Sequence, residues 1–176
     1  MHERYFAFGA NVHPATLARR GVKPERAAPA RLEGYRLVFD TPGIPWVEPA
    51  FASLEEADDH VWGVLYHLST KDLGRLRSFE GPSYQEVGVE VECESGRFPA
   101  RTFVTAEGHR ERRPSRRYLG VMAEGARLRE LPAAWVERLE AHPRLYVPVL
   151  HEVWGATFAL VDRAHRLLVS PSARRK

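Results

Sequence analysis

Val61–Leu68 (VWGVLYHL) is apolar almost throughout and runs without a break into Ser69, a residue suited to capping a helix. A strand with no polar face has to be covered on both sides. A second segment is less demanding: Val87, Val89, Val91 and Cys93 alternate with Glu90 and Glu92, which is a half-buried strand. Ser95-Gly96 turns it into a partner over Ala100–Val104, a hairpin. Further strands are expected over Arg4–Phe8, Leu32–Phe39 and Ala50–Leu54, with Gly34 marking a bulge or a close backbone approach. Three prolines and a glycine make Asp40–Pro49 a loop. Helices are expected at His13–Arg20, Ser69–Glu80, Ser115–Gly125 and Pro132–His142, the last with Trp135, Val136 and Leu139 on one face. Strands in the first half and near residue 90, with helices between and after, give an α+β fold with a curved or closed mixed sheet.

The chain has 176 residues, 44% of them hydrophobic, enough for one proper core. Net charge is only +3, but the arginines are uneven: His109–Arg117 (HRERRPSRR) holds five, and the chain ends Arg174-Arg175-Lys176. Such runs bind phosphates or serve as solvated loops, and with no RNA-binding motif or interleaved aromatics no nucleic-acid partner is expected. One cysteine, Cys93, excludes an internal disulfide and suits a reducing compartment. With no apolar signal core in MHERYFAFG and no run of membrane-spanning length, a cytoplasmic protein without a membrane partner is expected.

Glu80 is the first candidate for chemistry. Ser69 with Asp72 reads as a capping box, Leu73 and Leu76 define the apolar stripe of the helix, and Glu80 is the next position on that stripe. Gly81 and Pro82 then stop the helix. Glu80 thus falls on the buried face at the negative end of the helix dipole, where both effects disfavour its charged form. A carboxyl group placed that way can carry protons near neutral pH. By spacing alone it can equally be a solvated last-turn glutamate.

The second candidate is the N-terminal turn, where a strand empties through Phe8 into Gly9-Ala10-Asn11 before a helix starts. Successive N–H groups at such a turn form a nest for a carboxylate or an oxyanion, although an ordinary strand-to-helix turn looks the same. Other chemistries find no support. There is no G-x-S-x-G elbow, P-loop, G-x-G-x-x-G or H-E-x-x-H. Eight scattered histidines and one cysteine make no zinc spacing, so neither a metal nor a cofactor is expected.

Taken in order, these pieces resemble the gamma-glutamylcyclotransferase-like (AIG2-like) family. Tyr5–Asn11 (YFAFGAN) is similar to its N-terminal YFAYGSN signature, and Val61–Leu68 to its VWGVvy strand. Leu76–Tyr84 (LRSFEGPSY) resembles the stretch in which a helix ends in Glu-Gly shortly before a tyrosine. Pro114-Ser115, Tyr118, Gly125-Ala126 and Leu131-Pro132 match later elements. The likeness covers about Tyr5 to Arg144, so residues 1–146 are expected to form the domain. Residues 147–176 would be an extension that packs on it or at an interface such as a homodimer.

The resemblance implies a small mixed β-barrel flanked by helices, with a pocket at one mouth. It also implies cleavage of a gamma-glutamyl amide by attack of the substrate's own α-amine on its γ-carbonyl, releasing 5-oxoproline and an amine without metal or cofactor. Glu80 then takes the role of general acid and base. Phe8, Gly9, Ala10 and Asn11 hold the glutamyl end, and Tyr118 is either a substrate hydroxyl contact or a core tyrosine. Alternatives are removal of a gamma-glutamyl group from a specialised amine or natural product, and a non-catalytic small-molecule-binding barrel. The chain departs from the family pattern at Phe8, often tyrosine, at Ala10, usually serine, and at Phe103, a tyrosine in some relatives. Pro49-Ala50-Phe51 replaces a glycine-rich approach to the strand at Val61.

Overall fold

A computed structural model describes residues 2–80, 83–106 and 110–146. The expected helix stop at Gly81-Pro82, the start of the arginine run at His109 and the 147–176 extension lie outside the described residues. Strands β1 (His2–Ala7), β2 (Arg26–Ile44), β3 (Glu48–Ser69), β4 (Tyr84–Cys93) and β5 (Gly96–Thr105) close into a barrel in the order β1-β3-β2-β4-β5. Neighbours are antiparallel except β1 and β5, which meet in parallel at Tyr5 and Arg101 and seal the barrel. Thr102 Oγ1 donates to the carbonyl of Phe6 across that seam at 2.8 Å. The sheet is mixed and closed, as the α+β reading anticipated.

Closure explains the apolar strand. Val61, Val64, Leu65, Tyr66 and Leu68 are all buried, one set facing the barrel interior and the other the surrounding helices. Two expectations need correction. Ala50–Leu54 and Val61–Leu68 are parts of one strand, β3, and Asp40–Pro49 is not a loop. Its residues extend the β2–β3 hairpin, with Pro42 opposite Ala50 and Ile44 opposite Glu48, leaving only Pro45–Val47 as the turn. Proline is tolerated in a two-stranded ribbon wherever its missing N–H faces away from the partner strand. Gly34 marks a bulge as expected: it adopts φ +77° where the register shifts between Glu33 and Tyr35.

Among the described residues four helices surround the barrel: α1 (Pro14–Arg19), α2 (Thr70–Glu80), α3 (Arg116–Leu128) and α4 (Ala133–Ala141). A short 3-10 turn, Ala10–Val12, joins β1 to α1. The cap at Ser69 is real, since its hydroxyl accepts from the Asp72 N–H at 3.1 Å and bonds the Asp72 carboxylate. Ser115 caps α3 in the same way, accepting from Tyr118 N–H at 2.9 Å. Leu119, Met122, Ala123 and Ala126 of α3 pack with Trp135, Val136 and Leu139 of α4 over the core. Among the described residues no helix is long and apolar enough to cross a membrane.

Candidate active site

Register and helix rise explain why two segments distant in sequence meet. His2 pairs with Ser69, so α2 starts level with the beginning of β1 and runs back alongside it. From residue 70 to 80 the helix climbs about 15 Å at 1.5 Å per residue. From residue 2 to 7 the strand climbs about 17 Å at 3.4 Å per residue. Glu80 therefore emerges level with the loop that leaves β1, and its rotational phase, shared with the buried Leu73 and Leu76, turns it inward.

The contact is direct. Glu80 Oε1 accepts from Asn11 Nδ2 at 3.0 Å and from Arg20 Nη1 at 2.7 Å, and its side chain is 14% exposed. The second bond was not legible in the sequence. A guanidinium from the end of α1 and an amide from the loop thus share one carboxylate oxygen, both as charge-assisted donors. Asn11 is itself fixed, since the same Nδ2 also donates to the Tyr5 hydroxyl at 2.8 Å. Tyr66, donating to the carbonyls of Asn11 and Val12 at 3.2 and 3.1 Å, pins the loop from below.

Glu80, Asn11, Arg20 and Tyr5 border a cavity of about 370 Å³ at the barrel mouth, a size typical of small-molecule sites. All six residues singled out from the sequence, Phe8, Gly9, Ala10, Asn11, Glu80 and Tyr118, line it. So does Phe103, whose ring lies 5.7 Å from that of Tyr5, so the departures from the family pattern at Phe8, Ala10 and Phe103 all fall on the cavity wall. Tyr118 is packed as a core tyrosine and also lines the cavity. It is 6% exposed, packed at right angles to Phe39 and Phe51, and its hydroxyl accepts from Ala52 N–H at 3.2 Å. Burial pushes its phenol up to about 12, with the charges of Glu80 and Glu48 also raising it. The nearby Ala52 and Ala10 N–H groups act the other way and lower it.

Sequence reasoning missed several lining residues: Tyr5, Tyr84, Arg20 and Arg117. Burial first, and then neighbouring groups including Glu80, push the Tyr5 and Tyr84 phenols far above their ordinary range, so both are neutral donors or acceptors. Tyr84 donates to the Ala52 carbonyl at 3.3 Å. Two of them carried a sequence signal, Tyr5 as the first residue of YFAFGAN and Tyr84 as the tyrosine shortly after Glu80. Among the described residues no group of three or more His, Cys, Asp or Glu side chains is placed to hold a metal.

A carboxylate held against a Gly-Ala-Asn loop at the mouth of a closed mixed barrel defines a recognisable class. The AIG2-like family model matches residues 60–139. A gamma-glutamyl cyclotransferase, gliK, of Aspergillus fumigatus is 29% identical, over 94% of this chain and 72% of that protein. The corresponding aclK of Aspergillus oryzae is 28% identical over 89% of this chain and 67% of that protein. The human gamma-glutamylcyclotransferase is 25% identical over 78% of this chain and 77% of its own. A solved gamma-glutamyl cyclotransferase shares the fold, with a TM-score of 0.73 at 23% identity over 89% of this chain and 99% of that one. Residues 60–139 thus match the AIG2-like family, and over most of its length the chain is similar to gamma-glutamyl cyclotransferases.

Proposed function

We propose that the protein is an enzyme that cleaves a gamma-glutamyl amide by intramolecular aminolysis, giving 5-oxoproline and a free amine. The observation that carries this reading is the bond from Asn11 to Glu80, which ties a largely buried carboxylate to the N-terminal loop inside a small-molecule cavity. Ring closure needs the substrate's α-ammonium to lose a proton and the departing nitrogen to gain one. Glu80 takes the first proton as the α-amine attacks the γ-carbonyl, then delivers it to the leaving nitrogen as the amide C–N bond breaks. Arg20 and Asn11 hold Oε1, which leaves Oε2 as the atom assigned to transfer. Backbone N–H groups of the Gly9–Asn11 turn and the Tyr118 hydroxyl serve the α-carboxylate and the oxyanion, where a single donor is worth about 3 kcal/mol of barrier. Aromatic walls at Tyr5, Phe8 and Phe103 hold the glutamyl chain in its ring-closing conformer.

Phe8, Ala10 and Phe103 favour a second reading of the substrate, within the same reaction. Without the hydroxyls that relatives often carry at these positions, the wall around the glutamyl end is more apolar, which suits a different γ-linked acyl group.

The test is 5-oxoproline release from a panel of gamma-glutamyl amino acids, amines and glutathione, with Glu80→Gln beside the native protein. The variant should lose about 10²- to 10⁴-fold in kcat while still binding substrate. Turnover that survives the substitution would remove Glu80 from the chemistry. Binding without turnover in both proteins would instead indicate a ligand-binding barrel.

A further inference from the structure

A second recess, of about 480 Å³, lies where β1 and β5 part. The two strands pair at Tyr5 and Arg101, and beside that seam His2, Glu3 and Arg4 of β1 and His67 of β3 line the recess together with residues 99–101 of β5. It shares no lining residue with the cavity that holds Glu80. Register gathers basic side chains here. Arg4 lies directly opposite His67, and His67 directly opposite Arg26, so three neighbouring strands, β1, β3 and β2, present them on one face of the sheet. Arg4 and His67 are half-buried and Arg26 is exposed. The nearest acids are committed elsewhere, Glu3 to Arg101 at 3.8 Å and Glu25 to His2 at 3.2 Å. Arg4 has no carboxylate partner among the described residues; its guanidinium lies 4.7 Å from the centre of the Phe98 ring, and its Nε is buried without a hydrogen-bond partner among them.

A half-buried guanidinium with no anion beside it is costly, and further cations across the strands add repulsion. An anion among them removes both penalties at once. Stacking on Phe98 holds the guanidinium plane of Arg4 in place, so its N–H groups form a directed fork. A carboxylate is satisfied by one such fork. Donors that arrive from three strands match instead the several oxygens of a tetrahedral group, and two arginines beside a protonatable histidine match a double negative charge. We infer that this recess is a binding site for a phosphate dianion, free or as a monoester, with Arg4 as its anchor and His67 and Arg26 as further donors. The rest of the lining is small. Gly88 of β4, where an added Cβ would meet nothing within 4 Å, and Ala100 leave room for the alcohol part of an ester. His67 also makes the site sensitive to pH. Burial first, and then the charges of Arg4, Arg26 and His2, hold its imidazole below the ordinary 6.5, while Glu25 acts the other way. An anion seated beside it favours the protonated form.

The test is calorimetric titration of the native protein with inorganic phosphate, glycerol 1-phosphate, sulfate and dimethyl phosphate at constant ionic strength. The first three should saturate a single site, and dimethyl phosphate, with one charge, should bind about 10-fold more weakly or worse. A tighter glycerol 1-phosphate identifies the ligand as an ester, and a tighter inorganic phosphate identifies it as the free ion; either order supports the site. Arg4→Gln should weaken phosphate about 10- to 100-fold, the range for a charge-assisted contact. Arg4→Lys, which keeps the charge over Phe98 and loses the fork, should fall between the two. Arg97→Gln removes a cation outside the recess and should leave the affinity unchanged. Sulfate keeps its two charges across the range, so it reports His67 alone: it should bind more tightly at about pH 5.5 than at about pH 8, and His67→Gln should abolish that difference. No saturable binding at millimolar phosphate would overturn the assignment. So would an affinity that survives Arg4→Gln, or one that falls as far in Arg97→Gln, since either would reduce the effect to general attraction by surface charge.

Discussion

Two glycines of α3 offer a controlled measurement of how tightly the site loop is built. At Gly125, an added Cβ would lie 2.7 Å from both the Cα and the backbone N of His13, the residue that caps α1 directly after the site loop. Ordinary contact begins at 3.4 Å, so Gly125→Ala has to push backbone apart by about 0.7 Å. Backbone yields less readily than a side-chain tip, and overpacking of this kind costs about 1–3 kcal/mol. Alanine also gains about 1 kcal/mol over glycine inside a helix. The sum is a net loss of about 0–2 kcal/mol. Gly120, one and a half turns earlier on the same helix, is exposed and has nothing within 4 Å of an added Cβ. Gly120→Ala should therefore gain about 1 kcal/mol, the propensity term alone. The difference between the two variants cancels that term and isolates the close approach. Urea unfolding midpoints of both against native protein give this difference directly, provided the slopes agree. Gly125→Ala should also lose activity disproportionately, since a displacement approaching 1 Å at positioning groups costs up to about 100-fold in rate. If the two alanines stabilise the protein equally, α3 does not seat the loop in the way the distances require.

Ser69→Ala should cost about 1 kcal/mol by removing the cap of α2, read as a lower urea midpoint with an unchanged slope. At high pH the fold should fail through its phenols. Burial raises those of Tyr66 and Tyr118 to about 12, against about 10 in an unfolded chain. Their contribution is complete below pH 10 and is lost as pH rises through 12, because the folded state holds protons that the unfolded state releases. Tyr118→Phe should flatten that loss by up to about 2–3 kcal/mol, measured as stability against pH together with phenolate absorbance.

The local signals of this fold were legible because each acts within a few residues. Ser69 and Asp72 announce the start of α2, alternation over Val87–Cys93 announces β4, and the unbroken apolar run at Val61–Leu68 announces a strand covered on both faces. The β2–β3 ribbon was not legible, because Pro42, Gly43, Pro45 and Pro49 carry a loop signature by composition. Only the pairing of Pro42 with Ala50 and of Ile44 with Glu48 shows that Pro42 and Pro49 sit in a ribbon and Pro45 in its turn. Glu80 could be placed on the buried face from Leu73 and Leu76, but Arg20 lies 60 residues away at the end of a different helix, and no period connects them. The same holds for Glu48 and Arg117, 69 residues apart. Sequence spacing identifies the carboxylate that a helix delivers and is silent on the cation that receives it.

The length of α2 is the point where fold and site constrain each other most. Its start is fixed by the pairing of Ser69 with His2, and its end has to bring Glu80 to Asn11. Rise and rotation must both be satisfied, and in an α-helix they are not independent: one residue more or less moves the carboxylate by about 1.5 Å and turns it by about 100°. A single-residue change in α2 would thus leave the barrel intact and point Glu80 away from the loop. A four-residue change would restore the facing and miss the level of Asn11 by about 6 Å. The eleven residues of α2 are set by β1, whose span from His2 to Ala7 the helix has to retrace. The same argument accounts for the position of Gly63, where a Cβ would meet the Ala7 carbonyl at 2.2 Å. Only a residue without a side chain lets β3 lie close enough to β1 for the strand and the returning helix to keep one register.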